Sequence, residues 1–217
     1  MLPGAVRETP RDGAALVWVP GGAFVMGTVR PVESGNVESS NDVSRDDARS
    51  PQRTDPAEAG IAIWPATEHD HRGLARLLDA TDGVHASALP ALFRRPLPSE
   101  RPPEAVVAGL RRSGAAVLVA VAGTELVGLV QVSTRDAPQL VAYQPRRYAF
   151  VEELVVLAPW RRRGVGRALM EAAHRWALEQ GLREVELNVF AFNTAALGLY
   201  DRLGYRPQSL RLVRRLP

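Results

Sequence analysis

The segment APWRRRGVGRALM, residues 158–170, sets three consecutive arginines ahead of Gly164-Val165-Gly166 and then turns at once into an apolar helical pattern. The stretch before it, YAFVEELVVLAP, reads as a strand of a buried sheet. Strand, glycine-containing loop and helix together make a geometry for holding an anion. The first four amides of a helix have no intrahelical acceptor, and the macrodipole makes that end electropositive. Glycine lets the backbone approach the anion with no Cβ in the way. An arginine triplet can equally be a solvated or nucleic-acid-facing patch. Here Arg161, Arg162 and Arg163 precede the helix instead of lining it, and no aromatic residues interleave, which disfavours nucleic acid.

Two well-known phosphate loops fail on composition. A P-loop needs Gly-Lys-Ser/Thr, and all 27 basic side chains of this chain are arginine. A dinucleotide fingerprint needs a small residue at Leu169. It also needs a doubly wound sheet to follow, yet only 31 residues remain after Glu186, the acid at the expected distance.

The helix behind the loop is the clearest in the chain. Val165, Ala168, Leu169, Ala172, Ala173, Trp176 and Ala177 share one face, Arg167, Glu171, Arg175 and Glu179 share the other, and Gly181 stands where a helix ends. Working outward, IAIWPA predicts a strand and TEHDHRGLARLLDATDG a helix with Thr67 or Glu68 near its cap and Leu74, Leu77 and Leu78 inward. HASALPALF reads as a second helical piece, and Pro103 opens another helix at PEAVVAGLRRSG. AAVLVAVAG and ELVGLVQVST form a hairpin about Gly123-Thr124. LREVELNVF is a strand, NTAALGLYDRLG a helix, and SLRLVRRLP a last strand.

These elements occupy residues 61–217. Residues 29–60 are rich in Ser, Asp, Pro and Arg, have no large apolar residue after Val43 until Ile61, and predict a flexible linker. Residues 1–28 hold a short hairpin, GAALVWVPGGAFVMGT, whose sequence resembles the opening of formylglycine-generating (sulfatase-modifying) enzymes. The resemblance covers about sixteen of the 217 residues, and the cysteines of the cysteine-dependent members are missing, so the segment reads as a vestigial or fused hairpin. With 46% hydrophobic and 24% charged residues the chain has the makings of a globular core, and without cysteine it has no disulfide or thiolate chemistry. The first residues lack a secretory h-region, which predicts a cytoplasmic protein with no membrane partner. Six arginines face nine acids over residues 1–59, and twenty-one face fifteen over 60–217, a mild basic excess that suits an anionic ligand.

RRRGVG (161–166) also fits the Arg/Gln-x-x-Gly-x-Gly/Ala pyrophosphate signature of the GCN5-related N-acetyltransferase (GNAT) superfamily. VEELVVLAPW resembles that superfamily's fourth strand and FNTAALGLYDRLGY its C-terminal signature, so the resemblance spans about residues 61–217. It implies an α/β (α+β) fold with a mixed, strongly twisted sheet flanked by helices. It also implies acetyl-CoA as co-substrate, no metal, and acetyl transfer to a primary amine of a small molecule or peptide, by direct attack in a ternary complex.

The resemblance further implies that the backbone of Leu154, Val155 and Val156 pairs with the pantetheine arm, one amide of Val155 or Val156 polarising the thioester carbonyl. Arg161, Arg162, Arg163, Gly164, Val165, Gly166 and Arg167 cradle the pyrophosphate, with Asn188 and Asn193 toward the cofactor. Tyr200 is implied as the acid that protonates the departing thiolate. By comparison with polyamine acetyltransferases, Glu152 is the candidate base and Glu153 a contact for a cationic acceptor, the two expected on opposite faces of their strand. Asn188 stands where ribosomal-protein N-terminal acetyltransferases carry a glutamate, and it cannot act as a base. His85 and Phe93 fall where the acceptor pocket is shaped. Dimers are common in the superfamily. A second reading of the same resemblance is an acyl-CoA-binding or regulatory domain without turnover.

Overall fold

The computed structural model describes residues 16–19, 23–26, 60–97, 100 and 102–216. The chain divides into two compact units, residues 51–205 and residues 1–50 with 206–217. In the second of these, β1 (Leu16–Val19) and β2 (Ala23–Met26) pair antiparallel, Leu16 opposite Met26, as the Pro-Gly-Gly turn predicts. The predicted linker, apart from Gly60, lies outside the described residues.

The larger unit is built on one five-stranded sheet. Its strands are β3 (Ile61–Pro65), β4 (Ala115–Ala122), β5 (Glu125–Asp136), β6 (Arg147–Val156) and β7 (Val185–Leu187), ordered as numbered. The first four are antiparallel neighbours, and β7 joins β6 in parallel. Gly123, at φ 60, supplies the left-handed residue that closes the β4–β5 hairpin.

Helices α1 (His71–Ala88) and α2 (Pro103–Leu110) pack on one face, where Leu74, Leu77 and Val106 meet Val119, Val121, Leu129 and Val155. On the other face α3 (Val165–Glu179) and α4 (Thr194–Arg202) bury Val165, Leu169, Met170, Ala173 and Tyr200 against Val130, Val132 and Val151. Each fully buried Val or Leu in these clusters contributes roughly 1.5–3 kcal/mol. Met170 is wholly buried although it lies off the stripe read from the sequence, because α3 lies across the sheet from β3 to β6.

Three expectations change. α1 runs unbroken to Ala88, so HASALPALF is not a separate helix; it follows a single 3-10 turn, Glu68–Asp70, in which Thr67 and Asp70 form a capping box. SLRLVRRLP forms no strand: Leu210, Leu212 and Val213 are 85–90% exposed, because alternation yields a strand only where a partner edge is available to pair with it. The chain also leaves the sheet earlier than LREVELNVF suggests, at Leu187.

The fourth difference bears on the site. Gln131 pairs with Glu153 and Val132 with Val151, so Glu152 is the extra residue of a β-bulge. Upstream, Ala149 and Val151 face α3. Strict alternation would send Glu153 and Val155 there too, but Leu154 and Val156 go instead, and Val155 packs with α1. The bulge therefore turns Glu152 and Glu153 to the same face, contrary to the period-two expectation.

Candidate active site

The 149–151 segment of β6 is paired on both sides, with β5 and with β7. Beyond Val151 the pairing with β7 stops, while β6 continues to Val156 beside β5 alone. The two parallel strands part in a V, with Glu152–Val156 on one arm and residues 188–192 on the other. In a strand the N–H and C=O of successive residues point to alternate edges. Leu157 donates to Val127 O across the β5 ladder, 3.0 Å, so Val155 is also turned toward β5. Leu154 and Val156 thus present their backbone groups to the open edge. Of the two predicted amides, that of Val156 is the one turned to the open edge.

At the end of that arm the chain turns through the arginine–glycine loop. Arg162 (φ 65) and Gly164 (φ 80) both take left-handed backbone, and Gly164 is the N-cap of α3. A non-glycine residue in that region is uncommon and strained, which fixes the loop's shape at the residues that would touch an anion. The first helical bond runs from Ala168 to Gly164 O, 3.0 Å, leaving the amides of Val165, Gly166 and Arg167 without an intrahelical acceptor. The side chains are partly engaged: Arg161 Nε donates to Val156 O, 3.0 Å, Arg163 stacks over Trp160, 5.3 Å from its ring centroid, and Arg167 pairs with Glu171, 2.6 Å. Gly166 serves packing as well, because a Cβ there would meet Leu199 Cδ2 at 3.3 Å.

Tyr200, on α4, is 9% exposed and enters the core against α3. Burial, with a further contribution from the negative charge of Glu153, pushes its hydroxyl up to about 12. It stays protonated at any physiological pH, the form an acid needs. Asn193 caps α4: its Oδ1 accepts from Ala196 N at 3.2 Å, which holds the helix carrying Tyr200. Asn188 is exposed, one residue past the end of β7.

Glu152 sits in a ring of donors. Ser133 Oγ (2.7 Å), Gln131 Nε2 (3.0 Å), Arg112 and Arg135 all bond its carboxylate, whose side chain is 19% exposed. Burial raises its pKa, but the hydrogen bonds from Ser133 and Arg112 and the adjacent positive charges outweigh that and hold it below the ordinary value. Such a carboxylate is an anchor for the bulge and a poor proton acceptor. Glu153, on the same face, is the acid whose charge Tyr200 feels.

His85, near the end of α1, and Phe93 stack, ring centroids 5.1 Å apart. Phe190 and Phe192, from the other arm of the V, complete a four-ring cluster, with Phe93 and Phe190 edge to face at 5.4 Å. The sequence reading placed Phe190 at the tail of a strand and Phe192 at the start of the C-terminal signature, and gave neither a role. It also missed Gly128, where a Cβ would stand 2.8 Å from Val155 O and 3.0 Å from Leu169 Cδ1, so only glycine lets β5 sit this close to β6 and α3.

Residues 86–205 match the model of the acetyltransferase (GNAT) family. Among curated proteins the chain is 36% identical over 78 residues to an uncharacterized N-acetyltransferase of Methanocaldococcus jannaschii, 34% of either chain. It is 39% identical over 56 residues to the N-alpha-acetyltransferase MAK3 of Arabidopsis thaliana, 26% of this chain and 30% of that one. These matches span about a third of each relative's length. Among solved structures, a tetramutant of the BH1408 protein from Bacillus halodurans superposes with a TM-score of 0.66 at 26% identity, over 71% of this chain and 99% of that one. An aminoglycoside acetyltransferase from an uncultured soil metagenomic sample shares the fold, with a TM-score of 0.54 and 21% identity over 73% of this chain and 97% of that one.

Proposed function

Because the chain belongs to the acetyltransferase (GNAT) family, we propose that it transfers the acetyl group of acetyl-CoA to the primary amine of an acceptor bound beside it in one ternary complex. The observation that carries this is the open edge of β6 running straight into the free amides at the start of α3, with Tyr200 near the same V. One edge can hold the pantetheine amide groups as a strand would, and the loop can hold two phosphates.

Acetyl-CoA supplies the activated thioester. The chain's own part is alignment, charge and proton handling. The Val156 amide, aimed at the open edge, donates to the thioester carbonyl oxygen as negative charge grows there. Gly164 and the amides of Val165–Arg167 position the pyrophosphate, and Arg162, with Arg161 once released from Val156, adds charge-assisted bonds. Glu153 faces the acceptor and draws in its ammonium, which gives one proton to solvent water before the neutral amine attacks; the second proton shed by that nitrogen as the amide forms replaces the one that Tyr200 donates. Tyr200 Oη gives its proton to the departing sulfur. Glu152, bound by Arg112, Arg135, Ser133 and Gln131, keeps the bulge that sets Glu153 and Val156 in register. No membrane or nucleic-acid partner enters this reading. No helix among the described residues is long and apolar enough to cross a membrane.

The test is thiol release from acetyl-CoA with a panel of primary amines. Amine-dependent release supports the reading. Tight acetyl-CoA binding with no release across the panel leaves an acyl-CoA-binding domain in its place.

A further inference from the structure

The open edge of β6 is not bare. Arg161 Nε donates to Val156 O at 3.0 Å, and Val156 is the residue whose backbone groups are turned away from β5. The local fold makes this contact. Between the two residues the chain closes a single 3-10 turn, Ala158–Trp160, with Trp160 N donating to Leu157 O at 2.9 Å and Arg161 N to Ala158 O at 3.3 Å. The turn carries Arg161 back over the end of β6, so that its side chain meets a carbonyl five residues upstream. A carbonyl at an open strand edge is the atom with which an added strand would pair, so the guanidinium occupies one rung of that ladder.

The contact is also placed to break. Arg161 is exposed and makes no ion pair among the described residues, whereas Arg167 is tied to Glu171 at 2.6 Å and Arg163 is stacked over Trp160. One hydrogen bond from an exposed guanidinium to a neutral carbonyl is weaker than the bidentate, charge-assisted pair the same group makes with a phosphate. The amides that would hold the phosphates are close by. A Cβ on Gly166 would stand 3.7 Å from Val156 Cγ2, so Val156 and the free amides that open α3 share one corner. A turn of the arginine side chain takes its guanidinium from the carbonyl to that corner.

We infer that Arg161 is a gate on the edge of β6: its guanidinium closes Val156 O to the pantetheine arm until a pyrophosphate draws it away. This rests on the acetyl-transfer reading for the identity of the ligand, and adds to it an order of engagement. The anionic end of acetyl-CoA docks first and opens the edge for the amide end. A thioester without the pyrophosphate meets a closed edge, and its affinity falls in proportion to the fraction of molecules in which the edge is open. The coupling is reciprocal, so pyrophosphate and a pantetheine thioester bound together tighten each other by the same factor.

The experiment is calorimetric titration of the full chain with S-acetylpantetheine, an uncharged ligand, with and without saturating inorganic pyrophosphate at matched ionic strength. Wild type, Arg161→Met and Arg162→Met are compared. Both arginines are exposed, and methionine keeps an apolar stem without a donor. Pyrophosphate tightens S-acetylpantetheine on wild type by about fivefold or more. Arg161→Met binds it about fivefold or more tighter than wild type with no pyrophosphate present, and pyrophosphate then adds less than about twofold. Arg162→Met, which loses the same charge but not the contact, keeps the wild-type affinity for S-acetylpantetheine alone. Three results each overturn the gate: wild-type affinity unmoved or weakened by pyrophosphate, Arg161→Met no tighter than wild type, or an equal gain in Arg162→Met. Acetyl-CoA binding and amine-dependent thiol release by wild type are measured in parallel. Acetyl-CoA bound and turned over without these effects defeats the gate and leaves acetyl transfer standing; the full set of effects without thiol release defeats acetyl transfer and leaves the gate standing.

Discussion

Gly128→Ala is the perturbation that most directly couples the fold to the site. The added methyl would lie 2.8 Å from Val155 O and 3.0 Å from Leu169 Cδ1, while ordinary contact begins at 3.4 Å. One neighbour is backbone and the other a wholly buried side chain, so neither rotates away, and β5 must separate from β6 by roughly half an ångström. Overpacking of this kind costs about 1–3 kcal/mol. At roughly 2–4 °C of Tm per kcal/mol for a domain of this size, a 2 kcal/mol loss lowers Tm by about 4–8 °C. The displaced segment also carries the Val156 amide, so the KM for acetyl-CoA rises with it. Gly109→Ala is the internal control. It sits in α2 with nothing within 4 Å of its would-be Cβ, and removing a helical glycine there stabilises by about 0.5–1 kcal/mol. Thermal melts and steady-state kinetics of the two variants side by side decide the matter. A Gly128→Ala protein that melts at or above wild type, with unchanged KM, refutes the close-approach argument.

Four further outcomes are expected. Tyr200→Phe lowers kcat at least tenfold, within the range general acids supply, and leaves the Kd for acetyl-CoA within twofold, as stopped-time assays and calorimetry would show. Glu152→Gln destabilises by roughly 1–2 kcal/mol near neutral pH, since one oxygen still accepts but the charge facing Arg112 and Arg135 is gone. Because the folded pKa is depressed, that stabilisation is present above the ordinary 4.5 and is lost as pH falls below it, so the gap between urea midpoints of the two proteins closes in acid. Asn193→Ala removes the α4 cap, costs about 1 kcal/mol and lowers kcat, whereas Asn193→Asp restores both in the same melts and assays. Removing residues 1–58 leaves Tm and acetyl-CoA affinity of the remaining chain unchanged, and aggregation or a much lower Tm would assign the N-terminal segment a structural role.

Most elements were legible because their signals are local. The α3 stripe from Val165 to Ala177, the Gly123-Thr124 hairpin and the Gly164 turn each declare themselves within a dozen residues. What was not legible depends on partners distant in the chain. The Glu152 bulge is invisible in VEELVV, since it is set by a mismatch with Gln131–Val132 of β5 and by donors from Arg112 to Arg135. The same holds for Phe190 and Phe192, which gain meaning only when His85 and Phe93 arrive a hundred residues away. Nothing in ELVGLVQVST singles out Gly128, the residue on which β6 and α3 close in. SLRLVRRLP shows the converse: a local pattern is insufficient where no edge pairs with it.

The measurement that bears most directly on the whole account is a calorimetric titration of the intact chain with acetyl-CoA, repeated on Gly164→Glu. The left-handed residue at φ 80 and the free amides behind it predict micromolar binding by wild type. The variant, which strains that turn and sets a carboxylate against the phosphates, should lose it at an unchanged fold by circular dichroism. No binding by the intact chain, or equal binding by both proteins, contradicts the assignment of the arginine–glycine loop as a pyrophosphate site.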